Sequence, residues 1–543
     1  MTPSDDVSVR EATEADVPAI VEIFHRVYGD EYPYRTFYDE WWLKRSVYTD
    51  DIVMLVAVDG AGSVLGTASI VFDLGAHSDL LAEFGRLAVD PDARGLCIGS
   101  LLMAKRCEFA ERRLHLGLAQ NRCVHPFSQR ISRTHGFAAV GFLPLKYQFD
   151  SRESVILWGR HFGMGLSLRR NHPRIVPEAV ALASVCLEGC GLPADAIVDE
   201  TSPSYPHGGT YDIDELTAQG LPSLLRIERG RVRRREVFGP MRLQYGFFQL
   251  TARDAHYLIA RPPDANAVGG AIGYIHDEVS LSAHVFELIH TDEHVVRVLL
   301  ETFVARCRDD LDVKYIDIDV SAYAPRMQRT LLELGFLPAA YVPAMVFHDT
   351  ERLDVVKMVK LLIHDIELGD VQLIPESQRV ADLVLPAFIK QAVVPRIAEA
   401  IGDVALFDGL TPEQAQRVAG VCGVRHVVAA EVLFEANGPG ERMYVPLDGD
   451  IEVYVDGARV GVVGRGEVVG EVSVLTGSSH SASAVVAAAG TVAVLSQSDL
   501  ANLQRQRPDI AVVLYRNLAV GLGEKLRRVD QEMATHEPAV RRE

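Results

Sequence analysis

The 543-residue chain lacks long apolar runs, a basic leader and paired cysteines. No run of 18 apolar residues occurs, so we expect no membrane-spanning helix, and residues 1–6 lack the basic and apolar character of a signal peptide. The seven cysteines are scattered, and Cys186 and Cys190 have no second pair to complete a zinc site. We therefore expect reduced thiols, no metal and a cytoplasmic protein.

Positive charge is also scarce relative to negative charge. The chain has 54 Lys and Arg against 74 Asp and Glu, a formal net charge of −20. Such a surplus of negative charge disfavours nucleic acid and anionic membranes as partners. With 48% apolar and 24% charged residues the composition is that of a globular protein, and the length suits three or four domains.

One stretch of the sequence combines a strand, a loop and a helix in a way that predicts a binding site. Residues 84–89 are apolar and suit a buried strand, and apolar residues recur at helical spacing from Ser100 onward. Between them, Arg94, Gly95 and Gly99 lie in a short loop before the helix. Free N–H groups, the helix dipole and a guanidinium together favour a phosphate or pyrophosphate, although an ordinary strand–helix turn can also carry two glycines.

The loop from Arg94 to Gly99, Arg-Gly-Leu-Cys-Ile-Gly, resembles the Arg/Gln-x-x-Gly-x-Gly/Ala loop of the GNAT superfamily of acyl-CoA-dependent N-acyltransferases. The resemblance implies that the loop amides hold the pyrophosphate of coenzyme A, and that the preceding strand splays from its neighbour to pair with the pantetheine arm. It assigns this binding to Arg94, Gly95, Cys97, Gly99 and Ser100. Cys97 replaces the middle glycine, and its side chain crowds the pyrophosphate unless the backbone keeps a negative φ.

Three other segments within residues 1–155 resemble the same family and follow in its order. Residues 10–16 carry its R-x-A-T-x-x-D pattern, residues 52–72 suit a strand hairpin, and residues 127–142 suit a helix, a Gly-Phe turn and a strand. Together with the loop, these segments predict an acyltransferase domain over residues 1–155.

The segment at residues 28–42 is rich in aromatic side chains. They are Tyr28, Tyr32, Tyr34, Phe37, Tyr38, Trp41 and Trp42. In a GNAT domain this segment is a mobile connection over the acceptor site, where an aromatic lid would exclude water. Plain core packing is the alternative, above all for the two tryptophans.

Candidates for the acyl-transfer chemistry lie on and beside the same strand. Main-chain N–H groups of Leu87, Ala88 and Val89 could polarise the thioester carbonyl. Glu83 lies where GNAT enzymes often keep a carboxylate base, although a strand-end surface glutamate explains it as well. The family's tyrosine acid is replaced here by Ser132. Tyr147 and His125 are the substitutes, and either could instead be structural.

Residues 156–365 look like a second, degenerate copy of this domain. The strand, helix and Gly-Phe pattern recurs, but the loop at residues 290–294, His-Thr-Asp-Glu-His, has two carboxylates and no glycine. Negative charge there would repel a pyrophosphate, so we interpret this copy as a non-catalytic lobe that helps to form the acceptor cleft. A basic run at residues 226–236 suits a solvated surface, or else a contact to an acidic partner or a coenzyme A phosphate.

After a helical connector at residues 366–403, the segment 404–543 changes character. Short valine-rich strands separated by glycines predict a β-roll, which C-terminal helices close. The pattern resembles the cyclic-nucleotide-binding domain, and the segment 470–485 resembles its phosphate-binding cassette. The resemblance assigns ligand binding to Gly470, Glu471, His480, Ser481 and Ser483. His480 stands in place of the family's arginine, so we expect weaker binding, a different ligand or none.

The sequence as a whole predicts an α/β (α+β) protein with two GNAT-like mixed-sheet domains followed by a cyclic-nucleotide-binding β-roll. Its predicted function is acyl transfer, most simply of acetyl from acetyl-CoA to an amine, with cyclic AMP as a candidate effector at the C-terminal domain. A small molecule and a protein lysine remain open as acceptors, and so does a homo-oligomer. The alternative function is an inactive sensor that only binds coenzyme A or a nucleotide.

Overall fold

The computed structural model describes residues 7–536 except 73–78, 217–235, 240–254, 264–267, 364–367, 370, 402–404, 412–413, 415–417 and 419–420. The basic run at residues 226–236 therefore lies outside the described residues, apart from its last residue. The chain divides into two compact units, Met1–Ala387 and Phe388–Glu543, and each is considered by itself. No helix among the described residues is both long enough and apolar enough to cross a bilayer.

The first half of unit one is a seven-stranded part of a larger mixed sheet. Its strands are β1 (Ser8–Glu11), β2 (Ile52–Val58), β3 (Val64–Val71), β4 (Leu81–Val89), β5 (Leu116–Arg122), β6 (Ala138–Gln148) and β7 (Arg152–His161). They lie in the order β1-β2-β3-β4-β5-β7-β6, and β4 and β5 form the parallel pair. The predicted hairpin corresponds to β2 and β3.

The second half of unit one repeats this order strand for strand. Its strands are β10 (Asp212–Glu215), β11 (Val237–Phe238), β12 (Ala255–Arg261), β13 (Gly270–Asp277), β14 (Ser282–His290), β15 (Tyr315–Ser321), β16 (Leu337–His348) and β17 (Glu351–Leu361). The order is β10-β12-β13-β14-β15-β17-β16, with β14 and β15 parallel, and β11 is an additional strand beside β15. The family assignment of this second half stays a prediction.

The two halves join into one sheet through their last strands. β6 pairs with β16 at Gly141 and Ala340, where a Cβ on the glycine would lie 2.2 Å from the alanine Cβ. Glycine at position 141 therefore permits the close approach of the two backbones.

Two arginines reach across this junction in a reciprocal manner. Arg152 donates to the carbonyl of Ser280 at 3.0 Å, just before β14, and Arg352 donates to the carbonyl of Asp79 at 2.9 Å, just before β4. Each arginine also holds the bulge of its neighbouring strand, through two carbonyls within 2.9 Å. The start of each central strand is thus fixed by the opposite half.

Helices cover both faces of this sheet. They are α1 (Val17–Tyr28), α2 (Glu40–Ser46), α3 (Ile98–Ala110), α4 (Phe127–Thr134), α5 (Pro177–Gly189), α6 (His294–Asp309) and α7 (Pro325–Glu333). The period-two alternation of β2 separates the layers, because Met54 and Val56 pack with α1 whereas Leu55 and Ala57 pack with α3. A small parallel pair, β8 (Arg174–Ile175) and β9 (Ile197–Val198), belongs to the segment of chain between the two halves of unit one.

The C-terminal strands form two facing antiparallel sheets. The strands are β18 (Gly423–Val427), β19 (Val432–Phe434), β20 (Arg442–Asp448), β21 (Ile451–Val455), β22 (Ala458–Val463), β23 (Ser483–Val486) and β24 (Gly490–Ser496). The helices are α8 (Pro375–Ile401), α9 (Glu471–Thr476), α10 (Gln497–Gln506) and α11 (Pro508–His536). Buried Ile510, Leu514 and Leu518 of α11 pack on the roll, as their helical spacing predicts. The predicted mixed α/β class is confirmed.

Candidate active site

The two parallel strands at the centre of the first half diverge. β4 and β5 are paired only from Leu81–Leu116 to Glu83–Leu118, although β4 continues to Val89. Beyond Glu83, no described strand pairs with the edge of β4 that faced β5. This opening is a wedge in the sheet, in which the backbone donors and acceptors of β4 are left without a described strand partner on that edge. The resemblance noted in the sequence implies such a divergence of the strand before the loop.

A bulge in β4 accompanies the divergence. Ser69 of β3 pairs with Gly85, whereas Thr67 pairs with Ala88, so β4 contains one extra residue there. Arg86 lies in the bulge with a φ of +53°, a left-handed conformation that is unfavourable for a residue with a Cβ. Strain of this kind persists where the surroundings hold it and is common at functional sites.

The loop after β4 leads directly into α3. Gly95 has a φ of +89° and Cys97, the residue before the helix, has a φ of +60°. The condition of negative φ that the sequence set for Cys97 is therefore not met, and a cysteine holds the conformation that glycine favours. Within the described residues, the main-chain N–H groups of residues 95–99 have no hydrogen-bond acceptor. They and the exposed Arg94 could hold an anion.

An open pocket of about 720 Å³ joins this loop to the strand wedge. All eight residues predicted to bind coenzyme A line it, as do both predicted catalytic residues. They are Leu87, Ala88, Val89, Arg94, Gly95, Cys97, Gly99, Ser100, Glu83 and Tyr147. The lining as a whole comes from four stretches of the chain, within residues 27–34, 83–106, 119–132 and 147–155, and the pocket has the size of a site for a cofactor or small ligand.

Five side chains form a closed circuit in the wall of this pocket. Tyr147 donates to Gln120 Oε1 at 3.1 Å, and Gln120 Nε2 donates to Glu83 Oε1 at 3.4 Å. Arg86 NH1 donates to Glu83 Oε2 at 2.5 Å. The Arg86 Cζ lies 4.4 Å from the centroid of the Tyr34 ring, and the Tyr34 hydroxyl lies 3.2 Å from that of Tyr147. Because the proton of Tyr147 goes to Gln120, Tyr34 donates to Tyr147.

Burial changes the acidity of the groups in the pocket. It raises the pKa of Tyr147 well above its usual value and also raises the pKa of Tyr34, so both phenols stay protonated at neutral pH. Burial lowers the pKa of Arg106 to about 10, and this guanidinium bonds the carbonyl of Gly85 in the bulge at 3.2 Å. The circuit thus offers proton donors beside one carboxylate.

The other candidates for proton transfer lie at the edge of the circuit. Ser132, at the family's tyrosine position, is fully buried and donates to Asn121 at 3.2 Å, so it is not poised as an acid. His125 lines the pocket, and burial lowers the pKa of its imidazole. Tyr147 is the better-placed substitute, because its hydroxyl belongs to the circuit that contains Glu83.

In the second half, the equivalent loop is blocked by its own residues. Asp292 accepts from the main-chain N–H of His294 at 3.0 Å and from the Tyr211 hydroxyl, so a carboxylate already lies on the start of α6. The pairing of β14 with β15 places His284, in contact with Asp317 at 3.1 Å, at the position of Glu83. These contacts favour the interpretation of this half as non-catalytic.

The wedge between β14 and β15 is filled as well. β11 pairs with β15 at Val320 and Asp319, opposite the point where β5 is left open in the first half. A Cβ on Gly239, the residue after β11, would lie 2.4 Å from the Cβ of Phe286 in β14. The short strand β11 therefore lies between the two diverging strands, so the wedge has no room for a pantetheine arm.

The predicted cassette of the C-terminal unit is occupied by internal contacts. Glu471 accepts from Lys525 of α11 at 2.8 Å. His480 is buried, and its ring stacks on Phe434 with the centroids 3.8 Å apart. Burial lowers the pKa of His480, so its imidazole is neutral at pH 7.

The remaining cassette positions provide few side-chain groups that could bind an anion. Ser483 accepts from the main-chain N–H of Ala436 at 2.9 Å, Ser481 is exposed, and Gly470 precedes the one-and-a-half-turn helix α9. The segment 470–485 contains no Lys or Arg. The described side chains of this segment therefore offer a cyclic phosphate no fixed positive charge.

Three members of the pocket circuit were not predicted as site residues, namely Tyr34, Arg86 and Gln120. Tyr34 lies in the aromatic segment that suggested a lid over the acceptor site, so the sequence did indicate a place for it near the pocket. Arg86 and Gln120 had none, because a bulge and a cross-strand contact leave no mark in the local sequence pattern. Among the described residues, no group of His, Cys, Asp or Glu could hold a metal ion.

Comparisons with family models match two parts of this chain. Residues 17–130 match the acetyltransferase (GNAT) family, and residues 424–507 match the cyclic nucleotide-binding domain. A comparison with curated proteins found no match.

Solved structures resemble the chain over about a quarter of its length. A mutant of spermidine N-acetyltransferase SpeG from Vibrio cholerae is 14% identical, over 30% of this chain and 96% of that one, with a TM-score of 0.27. A cyclic nucleotide-binding domain from Methylobacillus flagellatus is 22% identical, over 27% and 86%, with a TM-score of 0.25. The Thermus thermophilus catabolite activator protein is 27% identical, over 24% and 62%, with a TM-score of 0.22.

Proposed function

We propose that this chain, which contains a GNAT acetyltransferase domain and a C-terminal cyclic nucleotide-binding domain, transfers an acyl group from coenzyme A to an amine. The observation that carries the proposal is the run of free main-chain N–H groups at residues 95–99, continuous with the open wedge beside β4. Such donors suit the pyrophosphate of acetyl-CoA, and the wedge suits its extended pantetheine arm.

The proposed binding mode places the thioester beside the bulge. Arg94 and the loop amides hold the diphosphate, and the unpaired edge of β4 near Leu87, Ala88 and Val89 orients the pantetheine and the thioester carbonyl. Main-chain donors aimed at that carbonyl would stabilise the oxyanion as the amine attacks.

Proton transfer falls to the circuit in the pocket wall. Glu83 removes a proton from the ammonium form of the acceptor, whose lone pair then attacks the thioester carbon. As the C–S bond breaks, the departing thiolate takes the proton of Tyr147, whose raised pKa keeps that proton available at neutral pH. Tyr34 donates to Tyr147 and replaces that proton, and the second proton that the attacking nitrogen loses on becoming the amide restores the tyrosine pair.

The C-terminal domain enters the proposal as a domain without a bound effector. Regulation by cyclic AMP was predicted from the cassette, but the pairing of Glu471 with Lys525 and the stacked, neutral His480 argue against tight binding of a cyclic nucleotide. All seven cysteines are free thiols, which supports a reducing compartment such as the cytoplasm.

Titration calorimetry with acetyl-CoA, followed by a thiol-release assay against a panel of amines, tests the proposal. We expect binding by the wild-type chain and about a tenfold loss in Arg94→Ala, the effect of one charge-assisted contact. Arg112→Ala removes another exposed arginine outside the pocket and should bind as the wild type does.

Two outcomes would contradict the transferase. Absence of acetyl-CoA binding would contradict the assignment of the loop and the wedge as a coenzyme A site. Binding without thiol release for any amine would favour the alternative function, a sensor that has kept the coenzyme A site and lost the chemistry. Two departures from the family pattern are consistent with that alternative, namely Cys97 in place of a loop glycine and Ser132 in place of the tyrosine acid.

A further inference from the structure

Arg86 has more hydrogen-bond donors than partners. Its side chain is 10% exposed and lines the pocket, yet the only hydrogen bond of its guanidinium among the described residues is the one from NH1 to Glu83. Nε is buried without a partner. A guanidinium carries five N–H groups, and unpaired donors in a buried setting are unfavourable. The site therefore has unused capacity for an anion.

This unused capacity lies beside the side-chain circuit of the pocket wall and away from the loop at Arg94. The guanidinium covers the ring of Tyr34, whose hydroxyl meets Tyr147, and both belong to the circuit that contains the proposed base. The loop at Arg94 begins only after the strand has continued for three more residues, about 10 Å of extended chain. The coenzyme A diphosphate at that loop would thus leave Arg86 unoccupied.

The charges that line the pocket favour an acidic ligand over a polycation. Four arginines line it, and Glu83 is the only carboxylate among the lining residues. The arginines are Arg86, Arg94, Arg106 and Arg122. Arg122 is neutralised by Glu153 at 2.6 Å, but Arg106 has no ion-pair partner among the described residues.

Carboxylates near the pocket do not reverse this balance. The charge of Asp277 contributes to the raised pKa of Tyr34, after the larger effect of burial. The Asp277 carboxylate already accepts hydrogen bonds from the main-chain N–H groups of Val279 and Ser280, at 2.9 and 3.1 Å. Glu31 and Asp150 are exposed, so solvent and salt screen them.

We propose that the acceptor is an amine that also carries an acidic group, such as an α-amino acid, and that Arg86 recognises this group. The inference rests on the proposed transferase function and narrows its substrate class. The acceptor carboxylate takes the donors of Arg86, and the contact between Arg86 and Glu83 loosens. Glu83 Oε2 then accepts the proton of the acceptor ammonium, whose nitrogen attacks the thioester. An acceptor without the acidic group leaves Glu83 engaged by Arg86.

Matched acceptor pairs test this with the full chain and acetyl-CoA. Phenylalanine is compared with phenethylamine, and leucine with isoamylamine, while spermidine and a lysine peptide represent the other classes. We expect kcat/KM for an α-amino acid to exceed that of its decarboxylated partner by about 10- to 100-fold, the range of a charge-assisted pair. In Arg86→Gln the difference should vanish, chiefly through a higher KM for the amino acid.

Glu83→Gln is the matched control, because it removes the base and keeps Arg86. We expect a much lower kcat, and the amino acid should still bind with an unchanged or lower KM. Melting temperatures of both variants exclude a general loss of folding at the bulge. Arg86→Lys, which keeps the charge without the planar fork, should restore part of the preference.

The outcomes separate this inference from the transferase itself. Thiol release that favours phenethylamine, spermidine or the lysine peptide would overturn the acidic acceptor and leave the transferase standing. A preference for amino acids that survives in Arg86→Gln would overturn the role of Arg86. No thiol release with any acceptor would overturn both.

Discussion

At the scale of single residues, Cys97 tests whether the loop has adapted to a side chain. Its φ of +60° costs about 1–2 kcal/mol for any residue with a Cβ, and the thiol lies where a ligand must approach the main chain. Cys97→Gly relieves that strain but gains conformational freedom in the unfolded chain, about 0.4–1 kcal/mol. We expect a net gain in stability between about zero and about 1.6 kcal/mol, and we expect acetyl-CoA to bind several-fold more tightly.

Denaturant unfolding measures the change in stability of Cys97→Gly, and calorimetry measures its change in affinity for acetyl-CoA. Cys97→Ala keeps the Cβ and should recover less of the affinity. Weaker acetyl-CoA binding in Cys97→Gly would show that the thiol contributes a contact and does not crowd the diphosphate.

Tyr147 is the residue at which the acid of the reaction can be tested. Burial keeps its phenol protonated, and a positioned general acid contributes about 10²- to 10⁴-fold to a rate. Tyr147→Phe removes one oxygen from a buried ring, so we expect kcat to fall at least 100-fold with little change in the KM for acetyl-CoA.

Because the pKa of Tyr147 is raised, the wild-type rate should show no loss up to about pH 10 that belongs to this group. Tyr48→Phe, at an exposed tyrosine that bonds Glu14, is the control and should leave kcat unchanged. A kcat of Tyr147→Phe within twofold of the wild type would remove Tyr147 from the mechanism.

At the scale of elements, local patterns predicted the strand–loop–helix unit and missed what surrounds it. The apolar run, the glycines and the helical spacing at residues 84–110 are contiguous, and α3 begins at Ile98, two residues before the predicted start. The bulge at Arg86 depends on its pairing with β3, and the partners of Glu83 come from β5 and from the bulge itself. Such contacts are non-local, so no window of sequence contains them.

The position of β11 leads us to expect a single acyl-CoA site in the chain. It fills the second wedge, and Asp292 covers the start of α6, so we expect one acetyl-CoA to bind per chain in calorimetry. Asp292→Asn should leave this stoichiometry at one, because removing the charge does not move β11. Arg94→Ala weakens the only expected site. A second binding event in the wild type would contradict the blocked wedge.

At the scale of the whole chain, the sequence indicated a second copy, which stays a prediction, and gave no sign of how the two halves join. The helix–Gly–Phe pattern at Gly335 and Phe336 indicated a second copy, and the strand order of the second half agrees with that interpretation. No pattern indicated that the two sheets would fuse at Gly141, or that Arg152 and Arg352 would each support the opposite central strand. The second half therefore supports the candidate active site by holding the start of β4.

The C-terminal unit provides the last prediction, because it has a nucleotide-binding fold whose cassette has no cation of its own. His480 is neutral and stacked on Phe434, and Lys525 is engaged by Glu471. We expect the wild-type chain to show no binding of cyclic AMP or cyclic GMP at millimolar concentration. His480→Arg restores a fixed bidentate charge and should bring cyclic AMP binding into a measurable range, with a further gain when Lys525→Ala releases Glu471.

Calorimetry and thermal shift with cyclic AMP measure both steps, and His480→Gln is the control, since it keeps a neutral donor and should gain nothing. If the wild type binds cyclic AMP at micromolar concentration, the ring of His480 must leave Phe434 or the phosphate must find donors outside the segment 470–485. Binding by His480→Gln as strong as by His480→Arg would show that steric blocking by the imidazole, and not missing charge, keeps the cassette empty.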